Sequence, residues 1–468
     1  MKKLFEISIM ALFLAFIVIC NGCRNRTYSA IEMDTLNIAE LEKQAKRGNA
    51  DAQVELGRLY CRGERGIKKD YDEAVKWFHK ADENGNVYGK YWLGVCYDMG
   101  YGMEKNYTKA NTLYKEAFPA FKNKANTGDA KAQFYLGLCY DLGRGIEENK
   151  ELAFSACKKA AELGYAQAQG ELGHRYYNGV GVKQSYTEAV KWFRLAAEQG
   201  HSHAQCCLGL CYFGGNGVKQ SYTEAVKWFR LAAEQREGMA QHSLGRCYFH
   251  GKGVSQSYTE AVKWYSLSAE QGISESQFYL GLCYEEGNGV EQSYTEAVKW
   301  YRLAAKQGLA EAQSTLGFCY YNGEGVTMSK KEAVKWWVLA GEQGDAFAQF
   351  YLGDCFFWGK GITQSYTEAV KWWHLAAEQG HAVAQFSLGQ CYRKGQGVVP
   401  SKSESMKWYR LAAEQGYAEA QYNLGIFYYD GYGVPISKSE AIKWFKRAAK
   451  QGLEDAIQTL DELGIYNY

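Results

Sequence analysis

The chain has 468 residues and is close to electrically neutral, with 54 Lys plus Arg against 52 Asp plus Glu and no long run of one charge. This excludes the basic footprint of a nucleic-acid binder and bulk attraction to a membrane surface. The length exceeds a usual globular core, a limit that stacked repeats escape because each unit touches only its neighbours.

Residues 1–23 differ from everything after them. Lys2 and Lys3 precede an apolar run from Ile7 to Ile19, and Cys20-Asn21-Gly22-Cys23 follows. This pattern predicts a secretory signal, since the run is short of the roughly 20 apolar residues of a membrane span. The ending resembles a bacterial lipoprotein box, with Gly22 before Cys23 as the lipidated residue, although Cys20 stands where such a box usually has Leu. Residues 24–49 are expected to hold an N-terminal segment and a capping helix.

From 50 to 452 one helical-hairpin pattern recurs about eleven times. Its clearest form is Ala-x-Ala-Gln-x-x-Leu-Gly-x-Cys-Tyr, then Gly-x-Gly-Val, then Ser-Tyr-Thr-Glu-Ala-Val-Lys-Trp. The period is 36 residues, closed by Gly164, Gly200, Gly272, Gly308, Gly344, Gly380, Gly416 and Gly452. Such a period predicts an all-α fold, an αα-hairpin solenoid of about eleven 36-residue repeats. Two less regular units, 50–85 and 86–128, come first, and the second carries seven extra residues around Phe118 to Asn126. Residues 453–468 are read as a C-terminal capping helix. Of three prolines, Pro400 and Pro435 fall in expected inter-helix loops and Pro119 in the expansion.

Because the copies align with one another, recurring positions can be separated from varying ones. In the unit from Ile273 to Gly308, Ser276, Leu280 and Tyr284 share one face of a first helix. Gly281 recurs as Gly173, Gly209, Gly245, Gly317, Gly353, Gly389 and Gly425 despite a propensity cost of about 0.5–1 kcal/mol. Close approach of a neighbouring helix is the expected compensation. The second helix opens on Ser293 with Glu296 three residues on, the spacing of a capping box. Asp70 with Glu73, Ser329 with Glu332, Ser401 with Glu404 and Ser437 with Glu440 keep it. Asn106 with Lys109 and Asn149 with Leu152 do not, which predicts weaker helix starts there. Gly308 is the expected left-handed C-cap. Arg236 replaces that glycine once, predicting a shifted or strained cap and a local bend. Ala297, Trp300, Tyr301, Ala304 and Ala305 form the apolar face of the second helix, with Trp300 and Trp264 as candidate buried rings.

These residues are similar to the Sel-like repeat family, relatives of the tetratricopeptide repeats with a longer unit. The similarity rests on Ala-x-Ala-Gln-x-x-Leu-Gly, Gly-x-Gly-Val and Glu-Ala-Val-Lys-Trp-Phe/Tyr-x-x-Ala-Ala-Glu-Gln-Gly, over nearly all of 50–452. It implies a right-handed superhelix whose concave groove binds proteins or peptides, usually as an adaptor without chemistry of its own. Bacterial members are often exported, in agreement with the N-terminal segment. Some members are cysteine-rich, with two cysteines bridging each hairpin. Here Cys139 and Cys157 alone are placed to pair that way.

The cysteine-rich relatives have been associated with β-lactamase activity, which sets an enzymatic alternative, or a peptidoglycan-acting one, against the adaptor. Ser155-Ala156-Cys157-Lys158 matches Ser-x-x-Lys, but the expected partners Ser-Asp-Asn and Lys-Thr-Gly do not occur. The serine is expected on the packing face of a second helix, so no catalytic residue is expected. Cys211, Cys247, Cys283, Cys319, Cys355 and Cys391 recur at one position. Equivalent points on stacked hairpins lie about 8–10 Å apart, too far for a disulfide, so they are expected to be buried small apolar residues. His201, His203, Cys206 and Cys207 have metal-ligand types, with His203 and Cys207 on one helical face. Cys206, however, aligns with His242, Phe278 and Ser314, a variable position, so neither metal nor cofactor is expected.

Binding is expected where the copies disagree, along a stripe on successive first helices. The candidate residues are Leu210 and Phe213; His242, Arg246 and Phe249; Phe278, Leu282 and Glu285; Phe318 and Tyr321; and Phe350, Asp354, Phe357 and Trp358. Aromatics with scattered charges suit a protein or peptide ligand, though some of these rings are also placed to seal neighbouring helices. The recurring Lys227, Lys263, Lys299, Lys335 and Lys371 follow a Glu by three residues and read as solvated pairs. The expectation is an exported scaffold of the cell envelope, a lipid-anchored lipoprotein or a periplasmic protein, that binds a protein and no nucleic acid.

Overall fold

A computed structural model describes residues 38–63 and 67–466. The signal-like segment and Cys23 lie outside the described residues. Among the described residues there are 24 α-helices and no strands. The chain divides into two compact units, Met1–Gln256 and Ser257–Tyr468, and the division falls between the two helices of one repeat. In the first unit, Ile38–Lys46 precedes hairpins running from Ala50–Arg62 and Tyr71–Glu83 to Ser202–Gly214 and Tyr222–Glu234, with Gly238–His250 last. In the second, Tyr258–Glu270 leads into hairpins from Ser274–Glu286 and Tyr294–Lys306 to Ala418–Asp430 and Lys438–Ala449, and Glu454–Glu462 closes it. Each unit is thus an αα-hairpin solenoid. Nearly every helix has 13 residues; the exception in the irregular second repeat, Tyr107–Asn126, has 20, so the seven extra residues lengthen the helix and take Pro119 inside it.

The recurring first-helix glycine is explained by one ring. A Cβ built on Gly281 would lie 2.5 Å from the Tyr301 ring, and on Gly173 or Gly209 2.6 Å from Phe193 or Phe229. The close neighbour is therefore the second helix of the same hairpin. Residue 157 is the equivalent ring position one repeat earlier; it is Cys157, and the space opposite Gly137 relaxes to 3.3 Å. These rings form the buried centre: Phe193, Phe229, Tyr265, Tyr301, Trp337 and Tyr409 have almost no exposure. Trp264 and Trp300, expected to be buried, are only half-buried. The ring one residue further along faces the helix axis of its partner, and the preceding tryptophan lies at the flank.

One capping feature differs from expectation. The N-cap side chains of Asn106 and Asn149 accept from Lys109 N and Leu152 N at 2.9 Å, against 3.3 Å for Ser185 and Ser293 accepting from Glu188 N and Glu296 N. The caps without Glu thus keep the N-cap bond, and at the shorter distance. The other half of the box is filled without Glu: the cap N–H donates to a first-helix carbonyl, as in Ser293 N to Tyr284 O at 2.8 Å and Asn149 N to Tyr140 O at 2.8 Å. Glu is freed to pair with Lys, and Lys227, Lys299 and Lys371 sit 2.5 Å from Glu224, Glu296 and Glu368.

Arg236 takes φ 66° while its neighbours Gly200 and Gly272 take 89° and 87°. Its N–H donates to Ala233 O at 2.9 Å, as Gly200 N does to Ala197 O at 3.0 Å, so the cap is strained but not shifted. A left-handed non-glycine residue costs about 1–2 kcal/mol, partly offset by the smaller unfolded entropy of Arg. Arg236→Gly should therefore raise stability by about 0.5–1 kcal/mol, seen as a higher urea midpoint; a lower midpoint would refute the strain.

A glutamine ladder joins successive hairpins. Gln313 Nε2 donates to Ala305 O at the end of the preceding second helix at 3.1 Å, and Gln343 Nε2 donates to Gln313 Oε1 at 2.8 Å. The same pair of bonds recurs with Gln205, Ala197 and Gln235 in the first unit and with Gln385, Ala377 and Gln415 in the second. Each buried amide thereby satisfies an orphan carbonyl of a helix end.

Candidate functional site

The variable stripe falls in both units, and in each its rings are divided between packing and surface. In the second unit Phe318 meets Tyr351 edge-on at 4.4 Å and Phe350 stacks on His381 at 4.6 Å, so both seal adjoining first helices. Phe278 lies 5.6 Å from Tyr301, whose hydroxyl donates to the Glu285 carboxylate. Leu282 and Tyr321 are half-buried. Asp354, Phe357 and Trp358 are brought together at a shallow cavity of about 100 Å³ that Trp373 and Gln390 also line. Trp358 there is 61% exposed. Burial pushes the Asp354 carboxyl up, opposed by Lys360 at 3.8 Å.

In the first unit Leu210 and Phe213 are half-buried, and the Arg246 guanidinium lies 6.0 Å over the Phe213 ring. His242 and Phe249, candidates from the stripe, are 4% and 8% exposed and offer almost no surface. Burial, and then Arg246, push the His242 imidazole down to about 3.

The His/Cys group separates into two kinds. His201 is a helix cap, its Nδ1 accepting from Ala204 N at 3.1 Å, and Cys206 is buried. His203 and Cys207 instead meet His174 of the preceding hairpin: His174 Nε2 lies 2.8 Å from His203 Nε2, and Cys207 Sγ lies 3.5 and 3.7 Å from those two nitrogens. Glu237 Oε1 is 3.5 Å from His203 Nδ1. Burial, and then His203, push the His174 imidazole down to about 3. His174 escaped the sequence reading, which began the stripe one unit later. It occupies the repeat position of Leu210 and Arg246, so carrying the register back 36 residues would have found it.

The remaining cysteines follow the packing account. All twelve described cysteines are free thiols, and Cys211, Cys247, Cys283, Cys319, Cys355 and Cys391 are buried. Cys139 and Cys157 are unbridged; the Cys157 thiol faces Ala168 O at 3.7 Å. Ser155 corrects its expected placement. It is exposed, because its neighbours Ala156 and Cys157 take the packing face, and Lys158 pairs with Glu162 at 3.8 Å.

Stacked helical hairpins with a recurring frame and varying first-helix faces define a solenoid repeat protein. Eleven consecutive segments, from 50–86 to 418–453, match the Sel1 repeat, and the chain belongs to that family. Sel1 repeat proteins are generally protein–protein interaction scaffolds. Among solved structures, the protective antigen c5321 of uropathogenic Escherichia coli, which displays an SLR fold, is 35% identical with a TM-score of 0.65, covering 92% of this chain and 90% of that one. A Sel1 repeat protein from Oxalobacter formigenes is 31% identical with a TM-score of 0.50, covering 74% and 90%. The ERAD-associated E3 ubiquitin-protein ligase component HRD3B of Arabidopsis thaliana is 42% identical over 78 residues, 16% of this chain and 12% of that protein. The chain thus spans about an eighth of the length of this plant relative.

Proposed function

We propose that the chain is a non-catalytic scaffold, exported and lipid-anchored through Cys23 in the cell envelope, that holds a protein or peptide partner against the varying faces of its first helices. The observation that carries the reading is Trp358, a large ring left 61% exposed beside Phe357 and Asp354 over a shallow cavity. Tryptophan is among the residue types most enriched at interaction hot spots. The enzymatic alternative draws no support from Ser155, which lies on the exposed face of its helix and not in a cavity, with the lysine of its motif paired to Glu162.

Crosslinking in the native cell envelope, followed by identification of captured proteins, tests the scaffold. A specific partner should be recovered, and Trp358→Ala with Asp354→Lys should lower its capture roughly tenfold or more without moving the melting curve. Recovery of abundant proteins alone, unchanged by the substitutions, would sink the reading. For the anchor, the mature protein should enter the detergent phase on partitioning and Cys23→Ala should leave it in water; a wild-type protein that stays aqueous refutes lipidation.

A further inference from the structure

We propose that His174, His203 and Cys207 form a zinc site that clamps two successive hairpins of the first unit. Three donors of the types zinc prefers converge from two helices, Ala166–Asn178 and Ser202–Gly214, and all their ligand atoms lie within 4.8 Å of one another.

The triangle has the size of a zinc face. With Zn–N near 2.0–2.1 Å and Zn–S near 2.3 Å, tetrahedral angles set N···N at about 3.3 Å and N···S at about 3.6 Å. The two N···S edges are 3.5 and 3.7 Å. The N···N edge is 2.8 Å, so the two rings part by about half an ångström on loading. The rings are 21° from parallel with their Nε2 edges facing, and His203 and Cys207 reach the same point because residues four apart share a helix face.

The surroundings also fit a metal centre. The Glu237 carboxylate lies beside His203 Nδ1 and favours the proton there, which leaves the Nε2 lone pair toward the cluster. Glu237 is itself fixed, its other oxygen accepting from Ala240 N at 2.7 Å. Phe193 packs edge-on against His174, with ring centres 5.2 Å apart. The thiol is buried while the His203 side chain keeps 29% exposure, so ion and water have a way in, and the fourth vertex goes to water. None of the three ligands belongs to the repeating frame: position 174 is Leu210 and Arg246 in the next two units, and position 207 is Glu171 and Ser243 on either side. The packing pattern therefore does not account for their meeting. Two imidazoles and one thiolate favour zinc over calcium or magnesium, which take oxygen ligands.

The test uses the full chain, reduced and metal-stripped, titrated with Zn²⁺ against a competing chelator and, in parallel, with Co²⁺ for its absorption spectrum. The expected result is about one tight equivalent, tetrahedral cobalt bands with a thiolate-to-cobalt transition, and a melting temperature that rises on adding zinc. Cys207→Ser should abolish the thiolate transition, and His174→Leu should weaken zinc binding more than about 100-fold. Both place a residue that a neighbouring repeat carries at that position, and their circular dichroism should match the wild type. Glu237→Gln should weaken binding about 10–100-fold without changing the cobalt bands. A wild-type chain with no tight equivalent and no zinc-dependent rise overturns the site. So does binding that survives unchanged in both ligand variants.

Discussion

Replacing Trp337 by alanine should destabilise the Ser257–Tyr468 unit by about 3–5 kcal/mol, while the same change at the adjacent Trp336 should cost clearly less. Trp337 is completely buried. Its ring lies against Gly317, faces Phe318 at 5.4 Å and stacks near Tyr351 at 5.1 Å. Its indole N–H donates to Ser314 O at 3.0 Å. Truncation removes the ring together with its hydrogen bond to Ser314 O and opens a cavity between the two helices of the hairpin. Trp336 is half-buried on the flank and touches water on one side. Urea denaturation of the two variants side by side is the check; equal midpoints would mean that the position after the recurring tryptophan is not the one that holds the hairpin.

The second large effect is expected from a glycine that carries no side chain at all. Gly289 has φ 75°, and a Cβ there would lie 2.5 Å from Tyr258 O and 2.7 Å from Thr259 N. Gly289→Ala should thus incur about 1–2 kcal/mol of left-handed strain and about 1–3 kcal/mol more from displaced packing. The obstacle is the backbone of the preceding second helix, which cannot rotate aside as a side chain can. Gly308 provides the contrast: φ is 94°, but nothing lies within 4 Å of the added methyl. Gly308→Ala should show the strain alone. If both variants melt alike, the first backbone contact is not rigid.

The same pair of glycines shows what could be read in the chain beforehand and what could not. A 36-residue period, a left-handed cap at Gly308 and a turn at Gly287 and Gly289 are local matters, set by backbone preference and visible in sequence order. That Gly289 is also pressed against Tyr258, 31 residues earlier, is a property of stacking and leaves no local signature. The tryptophan misplacement has a similar origin. Trp300 and Tyr301 are both large and apolar, and the periodicity of the helix alone does not say which of two adjacent rings points at Gly281. In the sequence the glutamines show only as part of a motif, because a buried amide reveals its purpose when the carbonyl it meets, eight residues back on another helix, is in place. In the candidate stripe, position was legible but exposure was not. Phe249 and Phe357 occupy the same repeat position, one buried and the other half-buried, and Trp358 one residue further on is open. His174, His203 and Cys207 mark the limit most clearly, since one of the three comes from a different copy.

The glutamine ladder has a consequence for how such a chain can change. Gln277, Gln313, Gln349 and Gln385 each bridge to the preceding hairpin through the same eight-residue step, and Gln307, Gln343, Gln379 and Gln415 each reach back 30 residues to them. Each of these joints presents the same donor and the same acceptor, so an unequal exchange between two such copies that keeps the frame deletes or inserts whole hairpins and leaves the remaining joints of this kind chemically intact. Length is then adjustable by recombination without inventing a new interface, whereas a site assembled from two particular copies, like that of His174 and Cys207, survives only exchanges that keep those two adjacent.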